Sequence, residues 1–211
     1  MSSYNDINYS KIKIQMNNPN SLTIADSYLE LCIGPMFSGK TTYLLELINN
    51  MINKNQKFTI IKPIIDNRYN TDMITSHDNI SYASISLERI DQLDLVLLNE
   101  IILIEEGQFF PDLYESTIKL LNIGKKIYVA GLNGDYLMKP LGDIIKLIPL
   151  ADNIIYKQAI CSCSKPASYS CRKQNDNNSQ ILIGGNDIYL PTCKQCYFLT
   201  QRLSVHSAQS F

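Results

Sequence analysis

The chain has 211 residues, 45% of them hydrophobic and 18% charged, with a formal net charge of −1 and a pI of about 6.1. This length fits one substantial core with room for a small second module, and the near-neutral charge supplies no basic field for a nucleic-acid backbone, so no nucleic-acid partner is expected. No apolar run approaches the roughly 20 residues that cross a bilayer, and residues 1–28 lack the apolar block of a signal peptide, so the expectation is a soluble, cytoplasmic protein with no membrane partner.

Residues 1–26 are rich in Asn and Ser without periodicity, as a flexible arm would be. From residue 27 to about 158, strand-like runs at 28–33, 57–62, 101–104 and 126–130 alternate with helical runs at 41–55 and 111–123. Gly124 follows the second helical run where a helix C-terminus favours glycine. The alternation predicts an α/β fold with a parallel sheet, and the uniformly apolar run Ile101–Ile104 predicts a strand buried on both faces. Beyond about residue 159 the texture changes to short segments broken by Cys, Pro, Asn and Gly, a small loop-rich module over 159–200 followed by a short tail, 201–211.

Between the first strand and the first helix stands Gly34-Pro35-Met36-Phe37-Ser38-Gly39-Lys40-Thr41, a complete G-x-x-x-x-G-K-[ST] phosphate-binding loop (P-loop). Its glycines let backbone N–H groups point at phosphate oxygens, Lys40 reaches the β- and γ-phosphates, and the Thr41 hydroxyl can ligate magnesium. The phosphates would sit at a helix N-terminus, where the dipole favours anions. A nucleoside triphosphate ligand is therefore expected.

The strand 101–104 runs into Glu105-Glu106, two carboxylates at a strand's C-terminal end, where ligands bind in open α/β sheets. One acid suits a magnesium ion and the other a hydroxyl proton. Asp66 and Arg68 follow the strand 57–62 in the same way, and Arg68 could neutralise charge on a transferring phosphoryl group. His77 is given no catalytic role. Cys161-x-Cys163 and Cys193-x-x-Cys196 form two close pairs, a layout that can hold one structural zinc ion, although the first pair is a residue shorter than usual and Cys171 is the alternative ligand. Between residues 159 and 200 the cations are Lys165, Arg172, Lys173 and Lys194, too thin a patch for a nucleic-acid-binding zinc ribbon.

These motifs together resemble the thymidine kinase family of the cytosolic cellular, bacterial and poxviral type over about residues 27–198. The resemblance rests on Gly34–Thr42, Lys62-Pro63 with Asp66-Asn-Arg-Tyr69, Ser76-His77, Glu106–Pro111, Ala130–Gly134, Leu147–Pro149, Ala159–Cys161, Ile183–Gly185, Tyr189 and Cys193–Phe198. It implies transfer of the ATP γ-phosphoryl group to the 5′-hydroxyl of deoxythymidine, and of deoxyuridine, with Glu106 as base and Lys40 and Arg68 stabilising the charge. Gly34 through Thr41, Asp66, Arg68, Glu105 and Gln108 would form the nucleotide and magnesium side, with Thr41 and Glu105 at the metal. Met36, Phe109, Leu132, Tyr136 and Ser170 would shape the base pocket. A lid from Gln180 to Tyr189, including Ile181, Leu182, Ile183 and Gly184, would close over the nucleoside. A homotetramer and feedback inhibition by dTTP are also implied. Glu105 stands where the family usually has Asp, Tyr136 where it usually has Phe, and Asn133 where Asp is common.

Overall fold

The computed structural model describes residues 27–65, 73–75, 81–173 and 179–207. The arm 1–26, Asp66, Arg68 and His77 lie outside the described residues.

Six strands form one sheet in the order β5-β2-β6-β7-β1-β8, every neighbouring pair parallel. They are β1 (Tyr28–Gly34), β2 (Phe58–Pro63), β5 (Ile85–Leu87), β6 (Ile101–Ile104), β7 (Lys126–Leu132) and β8 (Asn153–Tyr156). The parallel sheet expected from the alternating pattern is thus present. Successive strand residues point to opposite faces, and the core divides accordingly. Leu29, Leu31, Ile102, Ile104, Ile127 and Val129 pack with Leu113 and Leu120 of helix α2 (Leu113–Asn122). Cys32, Ile101, Leu103 and Ala130 pack with Leu44, Leu45, Ile48 and Met51 of helix α1 (Lys40–Asn53). All four residues of β6 are buried, because helices cover both faces of the sheet there.

Helix α2 stops as its sequence directs. Gly124 takes φ 76°, its N–H reaches the Leu121 carbonyl at 3.0 Å, and the Lys125 N–H reaches Leu120 at 3.1 Å. This paired closure satisfies the last helical carbonyls and needs a residue at ease with positive φ.

A short antiparallel pair, β3 (Met73–Thr75) with β4 (Ser81–Ala83), stands apart from the main sheet. The C-terminal region contains two more such pairs, β9 (Ala159–Ile160) with β10 (Pro166–Ala167) and β11 (Tyr169–Arg172) with β12 (Tyr189–Thr192). Helix α3 (Lys194–Ser207) follows and runs through position 200. Among the described residues a small buried cluster here joins Ala159, Cys161, Ala167 and Cys193, with Cys196 against it, and Cys171, Tyr189 and Tyr197 are buried beside it.

Candidate active site

Gly34 ends β1 against the Lys157 carbonyl, which an added Cβ would meet at 2.3 Å. The loop then turns through Gly39 at φ 80° into helix α1. Lys40 is buried and donates from Nζ to the Pro35 carbonyl at 2.6 Å, and the Ser38 hydroxyl donates to the same carbonyl at 2.8 Å. One residue along the helix, Thr41 Oγ1 donates to Glu105 Oε1 at 2.8 Å. A hydroxyl and a carboxylate oxygen side by side are the hard donors that magnesium takes, so the residues fit that ion.

Glu105 is buried and follows directly from β6, whereas Glu106 adopts left-handed backbone angles, φ 49° and ψ 43°. For a residue other than glycine that conformation costs about 1–3 kcal/mol and persists only where the surroundings enforce it. Gln108 supplies part of the enforcement. Its Nε2 donates to Glu106 Oε2 at 2.7 Å, and its Oε1 accepts the Leu132 N–H at 2.9 Å. The amide therefore braces the Glu106 carboxylate against the end of β7.

These groups surround a cavity of about 440 Å³ at the C-terminal end of the sheet, the position that parallel α/β architecture reserves for ligands. Met36 through Thr41 line one side; Glu105, Glu106 and Phe109 come from the end of β6; Leu132 and Tyr136 follow β7; Ser170, Tyr189 and residues 180–184 close the far side. Met36 N donates to Ser170 Oγ at 2.9 Å, joining the phosphate loop to β11. Of the residues that the resemblance implicates, Gly34, Pro35 and Gln108 stand behind the lining, and Asp66 and Arg68 lie outside the described residues.

Three buried charged residues at or beside this cavity were assigned no role from sequence. Lys62, at 2% exposure, lines it and donates to the Met73 carbonyl at 3.1 Å. Asp135 accepts from the Leu137 and Lys139 N–H groups and from Gln180 Nε2 at 2.9 Å. Its signal was available, as a carboxylate just past the end of a strand. Arg172, which the sequence offers only as one of four cations too few for a nucleic-acid patch, sits behind the pocket.

The sulfurs of Cys161, Cys163, Cys193 and Cys196 all lie within 4.8 Å of one another, with Cys163 and Cys193 3.6 Å apart. Tetrahedral ligands about 2.3 Å from zinc stand about 3.8 Å apart, so the four sulfurs fit that ion. The short first pair reaches because the chain reverses at once: the Ser164 N–H bonds the Cys161 carbonyl at 2.8 Å, with Ser164 at φ 65°. Cys171 is buried on β11 with its sulfur 3.7 Å from the Arg172 carbonyl, outside the cluster. The thiols also press on one another chemically. The Cys163 N–H and then other hydrogen bonds lower Cys161 to about 6, whereas hydrogen bonding to Cys163 and then to Cys193 and Cys161 pushes Cys196 up to about 12. Four sulfurs this close cannot all ionise without a cation among them.

The comparisons with known proteins agree on one family. A profile described as thymidine kinase matches residues 27–197. A thymidine kinase of Amsacta moorei entomopoxvirus is 45% identical over 177 residues, which cover 80% of this chain and 97% of the relative. Its counterpart from Rabbit fibroma virus (strain Kasza) is 37% identical over 179 residues, 84% of this chain and 99% of the relative. The vaccinia virus (strain Western Reserve) thymidine kinase is 38% identical over 172 residues, 81% and 96% respectively. With the profile and these relatives spanning most of the sequence, the chain belongs to the thymidine kinase family.

Proposed function

We propose that this chain transfers the γ-phosphoryl group of ATP to the 5′-hydroxyl of deoxythymidine, and of deoxyuridine, giving dTMP in the first case for nucleotide salvage and DNA synthesis. The observation that carries the reading is the convergence on one cavity of the phosphate loop, the Thr41–Glu105 oxygen pair, the Glu106 carboxylate and an apolar wall of Met36, Phe109, Leu132 and Tyr136.

The loop amides and Lys40 bind the phosphates, with Lys40 exchanging its bond to the Pro35 carbonyl for a phosphate oxygen. Thr41 and Glu105 would hold magnesium, which when bound offsets charge on the phosphates. Glu106 accepts the 5′-hydroxyl proton, and Arg68 is assigned to the charge on the transferring group. The base lies between Met36, Leu132, Phe109 and Tyr136, with Ser170 at the loop side. Backbone groups of Leu182–Gly184, with Gln180, Ile181 and Ile183 in the same segment, face its edge. A pocket that leaves a buried polar group unpaired disfavours the wrong base by about 1–3 kcal/mol per group. Residues 27–158 would form the nucleotide-binding domain and 159–200 a module held by structural zinc. The protein is further proposed to be a cytoplasmic homotetramer inhibited by dTTP.

The test is incubation of the protein with ATP, magnesium and each of the four deoxynucleosides or deoxyuridine. Thymidine monophosphate as the main product supports the reading; ATP binding with no nucleoside product removes it.

The brace on Glu106 can be tested through Gly131, where a Cβ would come within 2.3 Å of Gln108 Oε1 and 2.8 Å of Ile144 Cδ1. Gly131→Ala is expected to displace the Gln108 amide and lower kcat about 10- to 100-fold, because small misplacements of a reacting group cost that much. Steady-state kinetics alongside thermal melting would separate this from unfolding.

A further inference from the structure

Residues 180–184 border the cavity without belonging to a helix or strand, so other contacts must fix their position. The pairing of β11 with β12 sets Arg172 opposite Tyr189. Arg172 is 4% exposed, and a guanidinium that deep needs acceptors and a polarisable neighbour for its charge. Its Nη1 donates to the Ser179 carbonyl at 2.9 Å, and its Nη2 to the Gln180 carbonyl at 3.4 Å and the Tyr189 hydroxyl at 3.1 Å. Its Cζ lies 3.8 Å from the centroid of the Tyr136 ring, in the range of cation–π stacking. The Tyr189 hydroxyl in turn donates to the Leu182 carbonyl at 2.8 Å. One side chain thus connects the start of the segment, its middle through Tyr189, and an aromatic wall of the cavity.

We infer that Arg172 is a positioning residue that fastens residues 179–182 to Tyr136 and so sets the shape of the nucleoside pocket. The inference rests on reading the cavity as a nucleoside site. Arginine is required for its geometry: a planar fork can address two carbonyls and a hydroxyl in its plane while its face stacks on a ring, whereas an ammonium that spends its three donors on those acceptors has no flat face to stack. An arginine that merely stabilised the cysteine module would, when replaced, cost zinc and loosen β9 and β10 together with residues 180–189. The contacts of this one run to residues 179, 180 and 189 and to the Tyr136 ring, on the nucleoside side of the cavity, so its loss is expected to fall on that substrate with zinc retained.

Arg172→Ala and Arg172→Lys are to be compared with the unaltered protein in steady-state kinetics, zinc content and amide hydrogen exchange. In both variants KM for thymidine is expected to rise about 10- to 100-fold while KM for ATP stays within about twofold, with zinc content unchanged. Amides of residues 180–189 in the nucleoside-free protein should exchange at least about tenfold faster, with those of β1, β6 and β7 unaffected. An unchanged KM for thymidine, a matched rise in both KM values, or loss of zinc with faster exchange throughout β9 and β10, overturns the inference. If the unaltered protein does not phosphorylate thymidine, the nucleoside reading fails instead, and exchange in the free protein still decides whether Arg172 fastens the segment.

Discussion

Glutamine in place of Glu106 is expected to lower kcat for thymidine by about 10²- to 10⁴-fold, the range that a positioned general base contributes. The two side chains have nearly the same volume, and the glutamine carbonyl oxygen can still accept the bond that Gln108 Nε2 now makes to Glu106 at 2.7 Å. The left-handed backbone at this residue burdens both forms equally. The fold and the substrate-binding surfaces should therefore survive, and the two KM values should change little. What disappears is an atom able to take the proton, since an amide oxygen is far less basic than a carboxylate. The loose transition state of phosphoryl transfer demands little from the base early in the reaction, so a value toward the lower end of the range is consistent with the role. Kinetics with both substrates varied, beside a melting curve, checks this. Turnover within a few-fold of the unaltered protein would mean that the proton leaves by another route.

How much of this was legible in the sequence depended on how local each signal was. The phosphate loop needs eight consecutive residues, and the geometry at Gly34 and Gly39 explains each glycine. Ile101–Ile104 declared itself a central strand because it is apolar throughout, and Gly124 marked the end of α2. By contrast β8, Asn153–Tyr156, is a largely exposed edge strand of four residues with neither alternation nor a full apolar run. The left-handed Glu106 has no local signature, since glutamate does not advertise positive φ as glycine does. Arg172 is harder still. Its partners are carbonyls and rings gathered by the register of β11 against β12 and by a turn after β7. No spacing in the chain encodes that meeting. The shortened Cys161-x-Cys163 pair argued against a full sulfur cluster when read as spacing alone; the tight turn at Ser164 removes the objection.

Removing a zinc ion held by Cys161, Cys163, Cys193 and Cys196, the ion that their geometry fits, is expected to abolish thymidine binding while ATP binding persists. Around the four sulfurs the C-terminal module has little apolar core, its buried aromatic side chains, Tyr189 and Tyr197, being turned to Tyr136 beside the cavity. Its buried cluster consists of two alanines and two cysteines with Cys196 alongside, worth only a few kcal/mol at about 0.8 kcal/mol per buried methylene. Ordering each residue costs about 1–2 kcal/mol of backbone entropy. A structural zinc ion contributes on the order of 10–16 kcal/mol in comparable small modules, so the metal term decides whether β9 to β12 stay folded. Those strands carry Ser170 and Tyr189, which line the far side of the cavity, and Arg172 behind it. The phosphate loop depends instead on the main sheet and α1, whose core does not draw on the cysteine module. Cys163→Ser or treatment with a strong chelator should therefore cost about 100-fold or more in thymidine affinity, with ATP affinity changed only modestly through loss of the Met36–Ser170 bond. Cys171→Ser should keep one zinc ion per chain, because that sulfur lies outside the cluster. Zinc content by mass spectrometry and the two affinities by calorimetry measure all three. Retention of zinc in Cys163→Ser with its loss in Cys171→Ser would reassign the site, and normal thymidine binding by metal-free protein would show that the module folds without it.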